Sequence, residues 1–315
     1  MYLSDSTLDD LLRRVFARLL KSKNSIHPTR GSAREISGVL LRLTNPRARL
    51  SRTEKKGKVF SCLGELLWYL AKSRELSFIG YYIAQYRKES EDGMTVHGAY
   101  GPRLFAFEKN DGEKVDQIKN IIELLKRNRY SRRAVIQLFD ATDIAVERKE
   151  VPCTCTLQFM VRGKRLHMFV SMRSNDAYFG LPHDVFAFTM LQEIIARSLN
   201  LELGFYKHFV CSLHLYENNV KGAEQFLKEG LQTRVTMPPM PAGDPWKSVS
   251  KLIHAERVIR NGHKLNPDKV NLHRFWTDII RLLLIYRVWR DSKKSKKKEI
   301  DQIKKRMSTK PERRI

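Results

Sequence analysis

The feature that most constrains this chain is a change of hydrophobic period near its middle. Upstream, apolar residues recur every three or four positions; from Cys155 onward they alternate. Cys155, Leu157, Phe159 and Val161 are separated by Thr156, Gln158 and Met160, the period of a strand with one buried face. Arg162-Gly163-Lys164 reads as a turn and Leu166 to Met172 as the hairpin partner. Val185 to Leu199 is too long and too continuously apolar for a strand, so it reads as a buried helix starting just after Pro182. Phe205 to Tyr216 is another strand, and Ala134 to Phe139 a short buried one.

Helices flank this block. Leu8, Leu11, Leu12, Val15, Phe16 and Leu19 share one helical face behind Ser6-Thr7-Leu8-Asp9, which reads as a capping box. Lys23 to Lys58 is basic and irregular. Val59 to Leu70 has helical spacing and carries Glu65 between apolar neighbours. Ile118, Ile121, Ile122 and Leu125 mark a third helix. After the Pro-rich stretch Met237 to Pro241, two more helices are expected, Trp246 to Arg260 and Phe275 to Arg290. Helices, hairpin strands and helices again imply an α+β fold, a mixed or antiparallel sheet covered by helices. Three parts are expected: a body over 1–235, a helical extension over 236–290 packed on it, and a basic, solvated or disordered tail over 291–315.

The formal net charge of +25 over 315 residues calls for an anionic partner: a nucleotide phosphate, a polyglutamylated cofactor, nucleic acid or a membrane surface. From Asp291 the tail has eleven basic and four acidic residues, so most of the excess lies in the body. Four cysteines, with Cys153 and Cys155 as a lone C-x-C, give neither zinc spacing nor a disulfide framework, and no metal is expected. Leu8 to Leu20 is broken by charges, unlike a signal peptide, and an apolar run such as Leu282 to Tyr286 is far too short to span a bilayer. A reducing cytoplasm is the expected setting.

Cys153 follows Val151-Pro152 at the mouth of a strand. A thiolate there is a nucleophile if cations lower its pKa, and Arg30, Arg132, Arg133 and Arg173 are available. A small buried hydrophobe is the more ordinary role of such a cysteine. Arg173-Ser174 at a strand end, and Arg132-Arg133 after Tyr130-Ser131, could clamp a phosphate or could be plain solvated turns.

Read in order, "ELLWYL" at 65–70, "GAYG" at 98–101, "SRRAVIQ" at 131–137, "VPCTCTLQF" at 151–159, "RSNDAYFGLPHD" at 173–184 and "HLYENN" at 214–219 resemble thymidylate synthase, with similar gaps, over about residues 5 to 220. The resemblance implies a thymidylate synthase-like fold and a pyrimidine nucleoside monophosphate substrate, with methylenetetrahydrofolate as co-substrate. Cys153 then adds to C6 of the base. Arg173 and Ser174 hold the phosphate from the same subunit, while Arg132 and Arg133 are lent by the partner of a homodimer with shared sites. Arg30, in "TRGSAREI", is the candidate mobile phosphate arginine, with Arg34 its rival because the loop is short. Glu65 organises water near C4 and C5, and Tyr100 assists proton removal at C5. Asp176 binds the folate pterin, His214 and Tyr216 hold the sugar 3′-hydroxyl, and an ungapped count puts Tyr86 at the family's folate-side tryptophan. Cys155 lies two residues beyond Cys153, on the same strand face but deeper in the strand and off the motif position.

The departures carry information. Asp184 stands where the family has an asparagine that reads uracil. A carboxylate cannot donate to O4 but accepts from the cytosine 4-amino group, as in the cytidylate hydroxymethylases of this superfamily; an aspartate here also suits a helix start. Met172 replaces a glutamine, Thr154 a histidine, His183 a phenylalanine and Ala187 a serine, and the apolar C-terminus that closes over the folate is replaced by helices and the basic tail. The expected activity is 5-hydroxymethylation of dCMP or CMP. The alternatives are a divergent thymidylate synthase acting on dUMP, or a non-catalytic nucleotide-binding or nucleic-acid-binding protein on the same scaffold, with nucleic acid held by the tail.

Overall fold

A computed structural model describes residues 1–28, 30–51, 59–109, 111–231, 233–291 and 297–307. Strands β1 (Tyr2–Asp5), β2 (Ser25–Ile26) and β3 (Ala33–Leu43) surround helix α1 (Leu8–Leu19) in sequence. Helices α2 (Val59–Leu70), α3 (Leu76–Tyr82) and α4 (Tyr100–Phe105) follow, then the small hairpin β4 (Phe107–Glu108) and β5 (Lys114–Val115). Next come α5 (Gln117–Arg127), β6 (Val135–Gln137), β7 (Thr154–Arg162), β8 (Arg165–Asp176), α6 (Gly180–Ser198) and β9 (Glu202–Tyr216). Helices α7 (Val220–Lys228), α8 (Trp246–Arg260), α9 (Arg274–Asp291) and α10 (Lys297–Lys305) close the described chain.

The main sheet runs β1-β3-β9-β8-β7-β6, with β2 beside β3, seven strands among the described residues. β8 pairs antiparallel with β7 but parallel with β9, and β1 is parallel to β3, so the sheet is mixed as expected. Leu157, Phe159, Val161, Leu166, Met168 and Val170 face a fully buried core, against which α6 packs. On the other face Phe209 and Val135 remain 38% and 43% exposed.

Several elements differ from the sequence reading for identifiable reasons. Thr7, not Ser6, caps α1: its hydroxyl accepts from Asp10 N at 3.1 Å and donates to Asp10 Oδ2 at 2.8 Å. The basic stretch taken as irregular contains β3, hidden by a polar alternation and by Gly38, whose φ of 63° breaks the pairing between Ser37 and Val39. Arg52 to Lys58 of that stretch lies outside the described residues. α6 starts at Gly180, before Pro182, because a proline in the first turn gives up no intrahelical hydrogen bond. β6 is an edge strand with Val135 and Gln137 exposed, not a buried one.

α2 is buried along almost its whole length and forms the hub. It meets α6 on one side, α3 and α4 on others, and the C-terminal helices α8 and α9 as well. At Gly64 a Cβ would run into the Tyr82 ring, so only glycine lets α2 and α3 approach this closely. The C-terminal helices are tied to the body by Tyr82, whose hydroxyl donates to Glu256 at 2.8 Å, and by Tyr286, which donates to the Tyr81 carbonyl at 2.9 Å. Within the tail expected to be solvated, α10 is helical and Met307 is fully buried; Ser292–Lys296 and Ser308–Ile315 lie outside the described residues.

Candidate active site

Strand register alone gathers much of the site. Because β7 is antiparallel to β8 and β8 parallel to β9, the start of β7 meets the ends of β8 and β9. Arg173 N donates to the Cys153 carbonyl at 2.9 Å, and Ser174 and Asp176 pair with Ser212 and His214. Three helices then bring Glu65 (α2), Tyr100 (α4) and Asp184 (α6).

Cys153 is half-buried, and burial pushes its thiol up to about 11, with Asp184 and Glu150 adding to the rise and Arg173 and Arg30 opposing it. At neutral pH such a thiol is ionised on the order of one part in ten thousand. Cys155 shares Arg173 with Cys153 but not the two carboxyls. A bulge between Thr154 and Thr156 breaks the alternation, and Cys155 senses Cys211, on the exposed side of β9, rather than Asp184.

Glu65 is buried and accepts from the Tyr86 hydroxyl at 2.7 Å. Burial and that carboxylate hold the Tyr86 phenol well above its usual value. The Tyr86 ring stands edge-on to Trp68 at 5.4 Å. Tyr100 accepts from Thr154 N at 3.1 Å and stacks on Phe188; its phenol is raised by burial and then by Cys153.

Asp184 is buried, and Oδ2 accepts from Asn175 Nδ2 at 2.7 Å. Burial, followed by the neighbouring Glu65, drives its carboxyl well above the usual range, against the pull of Asn175. Behind Asn175 lies His208, with Nε2 3.2 Å from Asn175 Oδ1, and behind that the Tyr206 hydroxyl, 2.7 Å from His208 Nδ1. The sequence reading gave no role to Asn175, His208 or Tyr206. Alternation along Phe205 to Tyr216 marks His208 and Tyr206 as inward-facing polar residues, the one available signal.

The phosphate side is more dispersed. Arg173 donates from Nε to the Pro152 carbonyl (3.0 Å) and from an Nη to Val151 (2.8 Å), so it braces the loop carrying Cys153. Arg30 pairs with Glu89 at 2.5 Å and acts on Cys153, His214 and Tyr216. Its rival Arg34 is committed to Glu217 at 3.0 Å and the Leu20 carbonyl at 2.7 Å. Ser174 Oγ lies 3.5 Å from His214 Nδ1, and Tyr216 stands edge-on to His214. Burial lowers the His214 pKa. Asp176 accepts from Tyr178 N at 2.8 Å. Arg132 and Arg133 are exposed ahead of edge strand β6 and are not among the four charged or acidic groups that act most on Cys153.

Residues 9–244 match the family model described as thymidylate synthase. The chain belongs to the thymidylate synthase family. Among its relatives is a deoxyuridylate hydroxymethyltransferase of Pseudomonas phage M6, 35% identical over 167 residues, covering 52% of this chain and 46% of that protein. Another, from Delftia phage PhiW-14, is 28% identical over 239 residues, covering 70% and 64%. A thymidylate synthase of Buchnera aphidicola is 29% identical over 174 residues, covering 55% and 66%. The chain thus spans about half to two thirds of the length of these two phage relatives.

Within this thymidylate synthase-family frame three of the four departures are locally accommodated, while the buried hydroxyl of Thr154 has no hydrogen-bond partner among the described residues. His183 Nδ1 lies 2.6 Å from the Phe179 carbonyl and must carry hydrogen, leaving Nε2 to accept from Ser61 at 2.8 Å. Met172 and Ala187 are buried in the core. Glu150, another residue the motifs did not flag, accepts from Gly98 N at 2.7 Å beside Tyr100, and burial raises its carboxyl. Among the described residues no group of three metal-binding side chains forms, and no helix is long and apolar enough to cross a membrane.

Proposed function

We propose that this chain transfers a one-carbon unit from methylenetetrahydrofolate to C5 of a pyrimidine nucleoside monophosphate, and that the product is a 5-hydroxymethylated cytosine nucleotide, from dCMP or CMP. The observation that carries the base choice is Asp184: a buried carboxyl, fixed by Asn175, at the position where the family has an asparagine.

Cys153 loses its proton and its sulfur bonds to C6, which turns C5 into a carbon nucleophile. The carboxyl of Asp184, raised by burial, holds a proton that can pass to N3 as charge builds on the ring. This changes the simpler expectation of a permanently charged acceptor. The folate supplies a carbon at the oxidation level of formaldehyde. Glu65, held by Tyr86, and Tyr100 bracket the water that takes the C5 proton. With C5 bonded to that carbon, loss of the C5 proton breaks the carbon–nitrogen bond, expels tetrahydrofolate unoxidised and leaves an exocyclic methylene; water adds to the methylene and sulfur leaves C6. The residues fit the co-substrate in type: Asp176 offers acceptor oxygens and Tyr86 an aromatic ring, although the Tyr86 hydroxyl is spent on Glu65.

Arg173, Ser174 and Arg30 hold the phosphate within the subunit, and His214 and Tyr216 the sugar. Arg132 and Arg133 serve the neighbouring site of a homodimer formed through the exposed sheet face of Phe209 and Val135. The tail is an additional anion-binding element with nucleic acid as its partner.

A second reading, hydroxymethylation of dUMP, is favoured by the names of the two phage relatives and by the raised Asp184, since a neutral carboxyl can donate to O4. Mass spectrometry of products from dCMP, CMP and dUMP with isotopically labelled methylenetetrahydrofolate decides. A labelled hydroxymethyl cytosine nucleotide supports the first reading. Labelled hydroxymethyl-dUMP supports the second, and labelled thymidylate with dihydrofolate overturns both.

A further inference from the structure

Behind Asp184 the four polar groups Asp184, Asn175, His208 and Tyr206 form an unbroken line, drawn from α6, β8 and β9. The hydrogens of this line follow from one another. Asn175 Nδ2 donates to Asp184 Oδ2, so Asn175 Oδ1 is the atom facing His208 and can only accept. His208 Nε2 therefore carries hydrogen. A neutral imidazole has one such nitrogen, so Nδ1 is bare and accepts from the Tyr206 hydroxyl. Burial lowers the His208 pKa to about 3, in keeping with a neutral ring. All three hydrogen bonds then point toward Asp184 Oδ2. Among the described residues no hydrogen bond reaches Oδ1.

Cytosine presents a donor at position 4 and an acceptor at N3; uracil presents the reverse. A neutral carboxyl has one donor and one acceptor, so it can match either base. Which base it matches depends on which oxygen bears the proton. An oxygen already receiving a hydrogen bond is the poorer site for that proton.

We infer that Asn175, His208 and Tyr206 are positioning residues that confine the proton of Asp184 to Oδ1, and thereby make the site choose between 4-amino and 4-oxo pyrimidines. The inference rests on reading Asp184 as the base-facing group. It does not depend on which base wins. With the chain intact one base is preferred; with it broken the proton sits on either oxygen, and the preference erodes.

The groups that face Asp184 are Glu65 and Tyr69 from α2, Tyr100 from α4, Cys153 before β7, Asp176 from β8, and Tyr206 from β9. Only the last belongs to the line behind Asn175, so substitutions at His208 and Tyr206 leave the others in place.

The test uses the full chain with four variants: His208→Leu and Tyr206→Phe, which break the line; His208→Gln, whose amide can still donate to Asn175; and Asp184→Asn as reference. The first readout is the ratio of kcat/KM for dCMP over dUMP, or of their Kd values by calorimetry if turnover is absent. His208→Leu is expected to bring the ratio toward one by at least about tenfold, the worth of one buried hydrogen bond. Tyr206→Phe should move it the same way by less, and His208→Gln should restore most of it. The second readout needs no ligand: carbon-13 NMR titration of the Asp184 carboxyl, assigned by its loss in Asp184→Asn. The line donates into the carboxylate, so breaking it should move the midpoint to higher pH, while His208→Gln stays near wild type. A ratio and a midpoint unmoved in both His208→Leu and Tyr206→Phe overturn the inference. A wild-type preference for uracil, eroded in the same variants, supports the line and sinks only the cytosine reading. Failure of wild type to bind any nucleotide sinks the proposed function and leaves the carboxyl titration to decide the inference.

Discussion

A thiol buried beside two carboxyls is a weak nucleophile until its surroundings change, and Cys153 is such a thiol. Replacing it with serine is expected to lower turnover by at least about a thousandfold, because a neutral alcohol is far less nucleophilic than a thiolate. Nucleotide affinity in that variant should stay within about threefold. Cys155→Ser should hold turnover within about threefold, since the bulge turns that residue toward Cys211. Loss of activity in the second variant and not the first would show that the nucleophile is misassigned. The fraction of Cys153 as thiolate grows with pH up to about 11, so alkylation of the free enzyme should accelerate steadily from neutral to alkaline pH. Asp184 holds its proton at neutral pH, so Asp184→Asn should leave alkylation there within about threefold, the thiol being raised chiefly by burial. The same substitution should move the dCMP-to-dUMP preference toward uracil by at least about tenfold in competition assays. An unchanged ratio would reduce Asp184 to a structural partner of Asn175, since α6 starts four residues earlier and leaves it no capping role. The motif residues that surround Cys153 were readable in the sequence because each sits in a short run of recognisable order. Asn175, His208 and Tyr206 were not, because only the pairing of β8 with β9 brings them together.

Among elements, α2, α8 and the core strands were legible because their apolar period is strong and unbroken. Trp246–Arg260 ends where the sequence pattern ends. β3 and β1 were not, since their residues are mixed in polarity and their strand character comes from their partners: β9, more than a hundred residues away, for β3, and β3 itself for β1. The same long-range dependence appears in the chain before α2, where Arg49 is fully buried against Glu193 of α6. Arg47 reaches the same carboxylate at 2.8 Å, and Met240 N donates to it at 3.0 Å. One side chain thus joins α6, the segment after β3 and the Pro-rich stretch. Glu193→Ala should cost about 3–5 kcal/mol in denaturant unfolding, because it leaves Arg49 buried and unpaired. A double variant, Arg49→Met with Glu193→Leu, should recover much of that loss. A single-variant cost near zero would mean that water reaches Arg49 in solution.

At the scale of the whole molecule, the dimer can be tested by mixing. Under the proposed sharing, an Arg133→Ala chain lends a defective arginine and a Cys153→Ser chain hosts a dead site. A heterodimer of the two contains one site with every part intact, so about half of wild-type activity is expected from purified heterodimer and about a quarter from the statistical mixture formed on co-refolding. Silence in heterodimers verified by mass would argue that each subunit works alone. The C-terminal helices matter differently. Ile300 and Ile303 pack on the core and Met307 is buried, so removing residues 297–315 should destabilise the fold by roughly 2–4 kcal/mol while leaving kcat within about twofold. Collapse of kcat at temperatures where the truncated chain is folded would place the tail at the site instead. One further consequence follows from the position of α2. That helix is apolar almost all the way round, yet two of its covers, α8 and α9, are encoded far downstream. During translation at about 5–20 residues per second, roughly 200 residues must still be added before α9 emerges, a wait on the order of ten to forty seconds. Throughout that interval the helix bearing Glu65 shows an oily flank to solvent. A nascent chain of this kind is a natural client for trigger-type chaperones, and its yield in a heterologous host should track their supply more closely than it tracks growth temperature.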